Sequence, residues 1–167
     1  SFQPSDTVIG KTIFENKFDR LLADLSSSDT IIRQNANSSV LSIGVQKEFA
    51  PAFVKFLSSD QLNKVNEDSR AQLFVNGGTL ETESIIAPYK ALYTQYTDSF
   101  YLQLCLLKGL AYLRTQNSYN EFYSLMMKET PLVGAENTIS DVFIVLHDSL
   151  ELCKKFFPGM LALTRYE

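Results

Sequence analysis

The stretch DSFYLQLCLLKGLAYLRTQNSYNEFYSLMMKE, Asp98 to Glu129, decides how the rest of the chain is read. Tyr101, Leu102, Leu104, Cys105, Leu106, Leu107, Leu110, Ala111 and Leu113 cover most of the circumference of its first half. A helix apolar nearly all round belongs between neighbouring elements. Arg114 and the polar run Thr115-Gln116-Asn117 end it. Ser118 is placed to cap a second helix, and Glu121, three residues on, has capping-box spacing. Phe122, Tyr123, Leu125, Met126 and Met127 give that helix its apolar side. Thr130-Pro131 stops it, because proline pushes the preceding residue out of the helical region. The stretch is therefore two antiparallel helices joined by a polar turn.

Working outward, residues 1–12 read as an irregular lead-in and residues 13–167 as one helical domain. Phe14, Phe18, Leu21, Leu22 and Leu25 share one helical face. Ser26-Ser27-Ser28 ends that helix. Asp29 is a good cap for the next, whose inner face is Ile32, Ala36, Val40 and Ile43, with Gly44 as its stop. Lys47 to Leu57 follows, with Phe49, Phe53, Phe56 and Leu57 inward and Pro51 tolerated in the first turn. A short helix passes through Leu62 and Val65. Asp68 then caps a helix through Ala71, Leu73, Phe74 and Val75, which Asn76-Gly77-Gly78 terminates. Thr82 or Glu83 opens a helix through Ile85, Ile86, Tyr89, Leu92, Tyr93 and Tyr96.

Beyond Pro131, a loop containing Gly134 leads to a helix through Ile139, Val142, Phe143, Val145 and Leu146. Asp148-Ser149-Leu150-Glu151 repeats the capping-box pattern and starts a fresh helix to Phe157. Pro158-Gly159 precedes a last short helix through Met160, Leu161 and Leu163. Strict alternation never persists and no hairpin signal occurs, so the expected class is all-α.

Composition bounds the function. With 167 residues, 45% of them hydrophobic, the chain can bury a core of its own. Fifteen basic residues against 19 acidic give a net charge of −4, which supplies no electrostatic reason to bind nucleic acid. No run reaches the roughly 18 apolar residues of a membrane span, so no membrane insertion is expected. The polar opening SFQPSDT predicts no secretory leader, and a start at Ser1 suggests a piece of a longer protein.

Three units line up: residues 29–58, 66–97 and 98–130, followed by C-terminal helices over 138–165. Each is expected to start on an Asp cap, Asp29, Asp68 or Asp98, at offsets of 39 and 30 residues. Phe49-Ala50-Pro51-Ala52 matches Ile86-Ala87-Pro88-Tyr89, while the third unit has Phe122-Tyr123-Ser124. One helical pair cannot bury its apolar face alone, and stacking pairs makes a continuous core. SSDTIIRQNANSSVL, Ser27 to Leu41, resembles the first helix of a HEAT or armadillo-like unit. The resemblance implies a right-handed α-solenoid of about three stacked helical pairs with extra C-terminal helices. The alternative is an irregular helical bundle. DSLELCKKFFPGMLALTRYE, Asp148 to Glu167, resembles a helical stretch of large bacterial TraB/GumN-type proteins. That resemblance implies an accessory helical region in the cell envelope; without it, a cytoplasmic location is expected.

No catalytic constellation emerges. His147 is the only histidine, which removes any metal site needing two. His147-Asp148-Ser149 holds triad residue types, but neighbours on a helix project in different directions. Cys105 and Cys153 sit in apolar runs and read as buried small hydrophobes. Asn76-Gly77-Gly78 lacks the ending of a phosphate loop. Asn37-Ser38-Ser39 matches a glycosylation sequon but falls mid-helix. Glu81, Glu83, Glu121 and Glu129 are scattered along helix ends. No cofactor is implied. What remains is tyrosine: Tyr89, Tyr93, Tyr96, Tyr119 and Tyr123 recur at helical spacing on second helices, where a stripe of rings would suit a protein partner. If so, alanine at Tyr89, Tyr93 and Tyr123 should weaken partner capture and leave the fold intact. The expected function is a non-catalytic module that binds protein or supports an adjacent domain. A second expectation is a small apolar-ligand bundle with a pocket at Phe143, Phe156 and Met160.

Overall fold

In the computed structural model, the described residues are 17–40, 47–130, 140–147, 150–154 and 156–160. Every secondary-structure element among them is helical. In order they are α1 (Lys17–Leu25), α2 (Thr30–Val40), α3 (Ala50–Leu57), α4 (Glu67–Gly77), α5 (Ile86–Gln95), α6 (Phe100–Tyr112), α7 (Gln116–Lys128), α8 (Ser140–His147), α9 (Leu150–Cys153) and α10 (Phe157–Met160). Single 3-10 turns, Lys47–Phe49, Asp60–Lys64, Gly78–Leu80 and Glu83–Ile85, join several of them. The lead-in, Phe14, Ile43, Gly44, Gly134 and the Asp148-Ser149 cap lie outside the described residues.

The helices pack in two rows. In one, α2 touches α4, α4 touches α6, and α6 touches α8. In the other, α1 touches α3, α3 meets the turn Glu83–Ile85 that runs into α5, α5 touches α7, and α7 touches α9. α6 sits at the centre, against α4, α5, α7 and α8. That position accounts for its all-round apolar sequence: every residue from Leu102 to Leu107, and again from Gly109 to Ala111, is buried. Even Gln103 is inside, where its amide donates to the Tyr93 carbonyl at 3.1 Å and so satisfies a polar group that would otherwise be costly there.

The caps fall differently from the expectation. Asp29 does cap α2, its Oδ1 accepting from the Ile31 amide at 2.8 Å and the Ile32 amide at 3.3 Å. Asp68 and Asp98 do not cap. Asn66 precedes α4 in extended conformation and accepts from the Ser69 amide at 2.7 Å. Ser99 accepts from the Leu102 amide at 3.4 Å and donates to Glu67 at 2.8 Å, tying α6 to α4. Asp68 sits inside the first turn of α4, where its charge still complements the helix dipole. At α7 the cap is Thr115 and not Ser118; the two side chains each accept from the other's amide, at 3.1 and 3.2 Å. A cap must lie outside the helix with its side chain turned back, and several polar residues in a row leave that position open.

Asn76-Gly77-Gly78 ends α4 as expected, with Gly78 as its C-terminal cap. α4 runs through Gly77, and Gly78 keeps right-handed angles into the next turn. The chain breaks at Glu81, with φ 51°. The glycines serve packing. A Cβ on Gly77 would collide with the Tyr89 hydroxyl, and one on Gly109 would run into the Phe74 carbonyl. Removing both lets α4, α5 and α6 meet at one point. On α2, Ala36 and Val40 are buried as expected, while Ile32 stays 42% exposed at the helix's first turn.

Candidate functional site

The tyrosine stripe is inside the fold. Tyr89, Tyr93, Tyr96 and Tyr119 are buried and Tyr123 is half-buried, so an outward partner-binding stripe of these rings is not what the structure holds. Tyr89 donates its hydroxyl to the Phe74 carbonyl at 2.6 Å. Tyr93 donates to the Glu129 carbonyl at 2.5 Å, fastening the end of α7 to α5. The Tyr96 hydroxyl accepts from Arg70 at 3.2 Å, and that guanidinium also lies 5.4 Å from the Tyr96 ring centre. Burial pushes the Tyr89 and Tyr93 phenols well up, reinforced at Tyr93 by the Glu129 charge. Helical spacing marks one face of α5 and α7, and tyrosine suits an inner face as well as an outer one once its hydroxyl finds a carbonyl.

On α7 the cover is a side chain from further along the chain. Phe156 is buried, stacked on Tyr123 with ring centres 5.4 Å apart and edge-on to Tyr119 at 6.2 Å. Nothing in the spacing of Tyr119 and Tyr123 points to a residue so distant in sequence. The side chains of Phe143 and Met160, expected to share a pocket with Phe156, lie outside the described residues.

The outer face of the second row is polar and stitched from helix to helix. Lys90 on α5 pairs with Glu121 on α7 at 3.0 Å. Asn117 donates to Glu83 at 2.8 Å, and that bond, with a second from Thr115, holds the Glu83 carboxyl below its usual range. Where α3 and α5 separate, a groove of about 320 Å³ opens, lined by Leu57, Ser59, Asp60, Asn63, Pro88 and Gln95.

The groups with chemical potential are quiet. Cys105 and Cys153 are free thiols, both buried. Burial pushes Cys105 up to about 11 and raises Cys153 as well. A thiol kept protonated is a poor nucleophile. Cys153 donates to the Leu146 carbonyl at 3.4 Å. His147 is exposed at the end of α8, and Asp148 and Ser149 beside it lie outside the described residues. Among the described residues no cluster of His, Cys, Asp and Glu could hold a metal ion. No described helix is long and apolar enough to cross a membrane.

No family model matches the chain, and no curated protein or solved structure matches it.

Proposed function

We propose that the chain is a non-catalytic helical-repeat module. In this reading the pairs α2–α3, α4–α5 and α6–α7 stack as a right-handed, HEAT-like solenoid, and the row of second helices offers a face to a protein partner or a neighbouring domain. The observation that supports it is the packing of α1 on α3, α2 on α4, α4 on α6, α5 on α7, α6 on α8 and α7 on α9, with α3 reaching the turn that enters α5. Stacked pairs pack in this way, and they present extended surfaces suited to other proteins. The stitched polar face from Lys90 to Glu121 and the adjoining α3–α5 groove belong to the second row.

Photo-reactive residues placed singly test the reading. Ala91 on α5 and Ser124 on α7 are exposed on the second row, and Gln34 and Ser38 are exposed on α2 of the first. In extracts of the native cell, cross-links to one protein species are expected from the first pair of positions and not from the second. Equal yields from both rows, or none from either, would overturn the assignment of the face.

A further inference from the structure

The groove between α3 and α5 carries an inference that rests on the protein-binding reading and narrows the partner's chemistry. It is lined wholly by described residues. Pro88, Ala91, Leu92 and Gln95 fall at i, i+3, i+4 and i+7, so one face of α5 runs along it for about 10 Å. Leu57, Leu62 and Leu92 are buried and give it an apolar floor. The rim is polar and of one electrical sign. Asp60 is the charged residue of the lining. Among the described residues, neither its carboxylate nor the carboxamides of Asn63 and Gln95 make a hydrogen bond or ion pair within the chain. Ser58 and Ser59 donate their hydroxyls to the Val54 and Phe56 carbonyls, at 3.1 and 2.8 Å, which leaves only lone pairs to face a ligand. Both bordering helices also end here. Leu57 is the last residue of α3 and Gln95 the last of α5, and the C-terminal end of a helix carries partial negative charge. No lysine or arginine lines the groove to balance these charges. An apolar floor under acceptors and one unpaired carboxylate is complementary to a cation carried on an apolar stem.

We propose that the α3–α5 groove receives an arginine side chain from a short segment of a protein partner. The methylene stem lies on the leucines. The guanidinium meets Asp60, and its remaining N–H groups reach the carboxamide oxygens of Asn63 and Gln95. Several separated acceptors favour the planar fork of arginine over the point charge of lysine. A groove of about 320 Å³ is at the small end of ligand sites. It suits one long side chain and the extended residues beside it, of which about three span 10 Å.

The test uses the full chain and immobilised pentapeptide pools with degenerate flanks and arginine, citrulline or glutamate at the centre. Citrulline keeps the shape of arginine without its charge. The arginine pool should retain the chain about tenfold more strongly than the citrulline pool, and the glutamate pool should not retain it. Asp60→Asn, at an exposed side chain, should erase the arginine preference and leave the urea midpoint in place. Gln95→Lys, which brings a cation to the rim, should erase it too and decides the matter if Asp60→Asn fails to fold. Equal retention by the arginine and citrulline pools, or an arginine preference that survives in either folded variant, would overturn the proposal. Agmatine that competes as well as a soluble arginine pentapeptide would assign the groove to a free small cation and overturn the protein partner. A chain that dimerises as its concentration rises, while Asp60→Asn stays monomeric, would assign it to a second copy and overturn the proposal likewise. Cross-links at Ala91 and Ser124 without an arginine preference would sink the groove and keep the second-row face. An arginine preference without those cross-links would keep the groove and remove the wider face, so the two readings fail separately.

Discussion

Two pairs of tyrosines, on consecutive helices of one row, are buried by different means. Tyr89 and Tyr93 on α5 donate to the main-chain carbonyls of Phe74 and Glu129. Tyr89 also fills space that Gly77 and Gly109 leave open. Tyr119 and Tyr123 on α7 are covered by Phe156, more than thirty residues further along the chain. The first burial is shared among three helices and cannot be undone without parting them. The second is closed by a ring from a distant part of the chain, stacked on Tyr123 and edge-on to Tyr119. The same residue type at similar spacing therefore marks an inner face closed by main-chain carbonyls in one pair and by a sequence-distant ring in the other.

The largest effect should come from truncating the first pair. Tyr89→Ala or Tyr93→Ala should cost about 3–5 kcal/mol, as deletion of a large buried ring does. Urea unfolding followed by circular dichroism measures this. It reverses the expectation from the sequence that such changes spare the fold. Stability unchanged by Tyr89→Ala would break the contrast.

The glycines sharpen it. Gly109→Ala should cost about 3 kcal/mol, because its Cβ meets a backbone carbonyl that cannot move aside, with the Tyr89 ring only 2.6 Å away. Gly159→Ala meets Tyr123, a side chain on the helix rim. It should cost about 1 kcal/mol or less, with the loss confined to α9 and α10 in hydrogen exchange. Equal global losses from the two would place both regions in one cooperative core.

How much of this was legible in the sequence depends on the residue. α6 could be read from its own composition, because a helix with so little polar surface has few places to go. The α2 cap could be read because Asp29 stands immediately before an apolar-periodic run. The caps at Asn66, Ser99 and Thr115 were missed by one to three residues, since neighbouring polar residues satisfy the same pattern and only backbone angles choose among them. Gly77 was readable as the end of α4, but its second role was hidden, because the close approach it permits is to Tyr89, twelve residues later. The inward direction of the tyrosines was hidden for a related reason. Periodicity locates a face, and only contacts from other helices say whether that face is covered.

A smaller loss should follow removal of one hydroxyl. Tyr89→Phe leaves the Phe74 carbonyl without its donor and should cost about 1–2 kcal/mol. Tyr123→Phe, on a half-buried ring, should stay within about 0.5 kcal/mol. Alkaline titration probes the same difference. The phenols of Tyr89 and Tyr93 are raised in the folded chain, so the native state keeps protons that the unfolded state releases above its ordinary value of about 10. Their contribution to stability is complete below that pH and is lost as pH climbs through the folded values. Tyrosinate absorbance should therefore rise in two stages, the later one together with loss of helical signal. A single stage finished while the helix signal is intact would contradict the inward burial of α5's rings.

The smallest effect should come from the outer face. Lys90 is 58% exposed beside Glu121 at 17%. An ion pair so open to water contributes little, and Lys90→Ala should cost less than about 1 kcal/mol. Concentrated salt should erase most of even that difference. The small value matters because it separates this face from the tyrosines beneath it. Side chains the fold does not need are the ones free to be used for recognition. Lys90→Ala should therefore leave the melting temperature almost unchanged while lowering the cross-link yield at Ala91, one residue along the same helix. A large loss of stability with unchanged yield would make the Lys90–Glu121 pair part of the scaffold and remove it from the second-row recognition face.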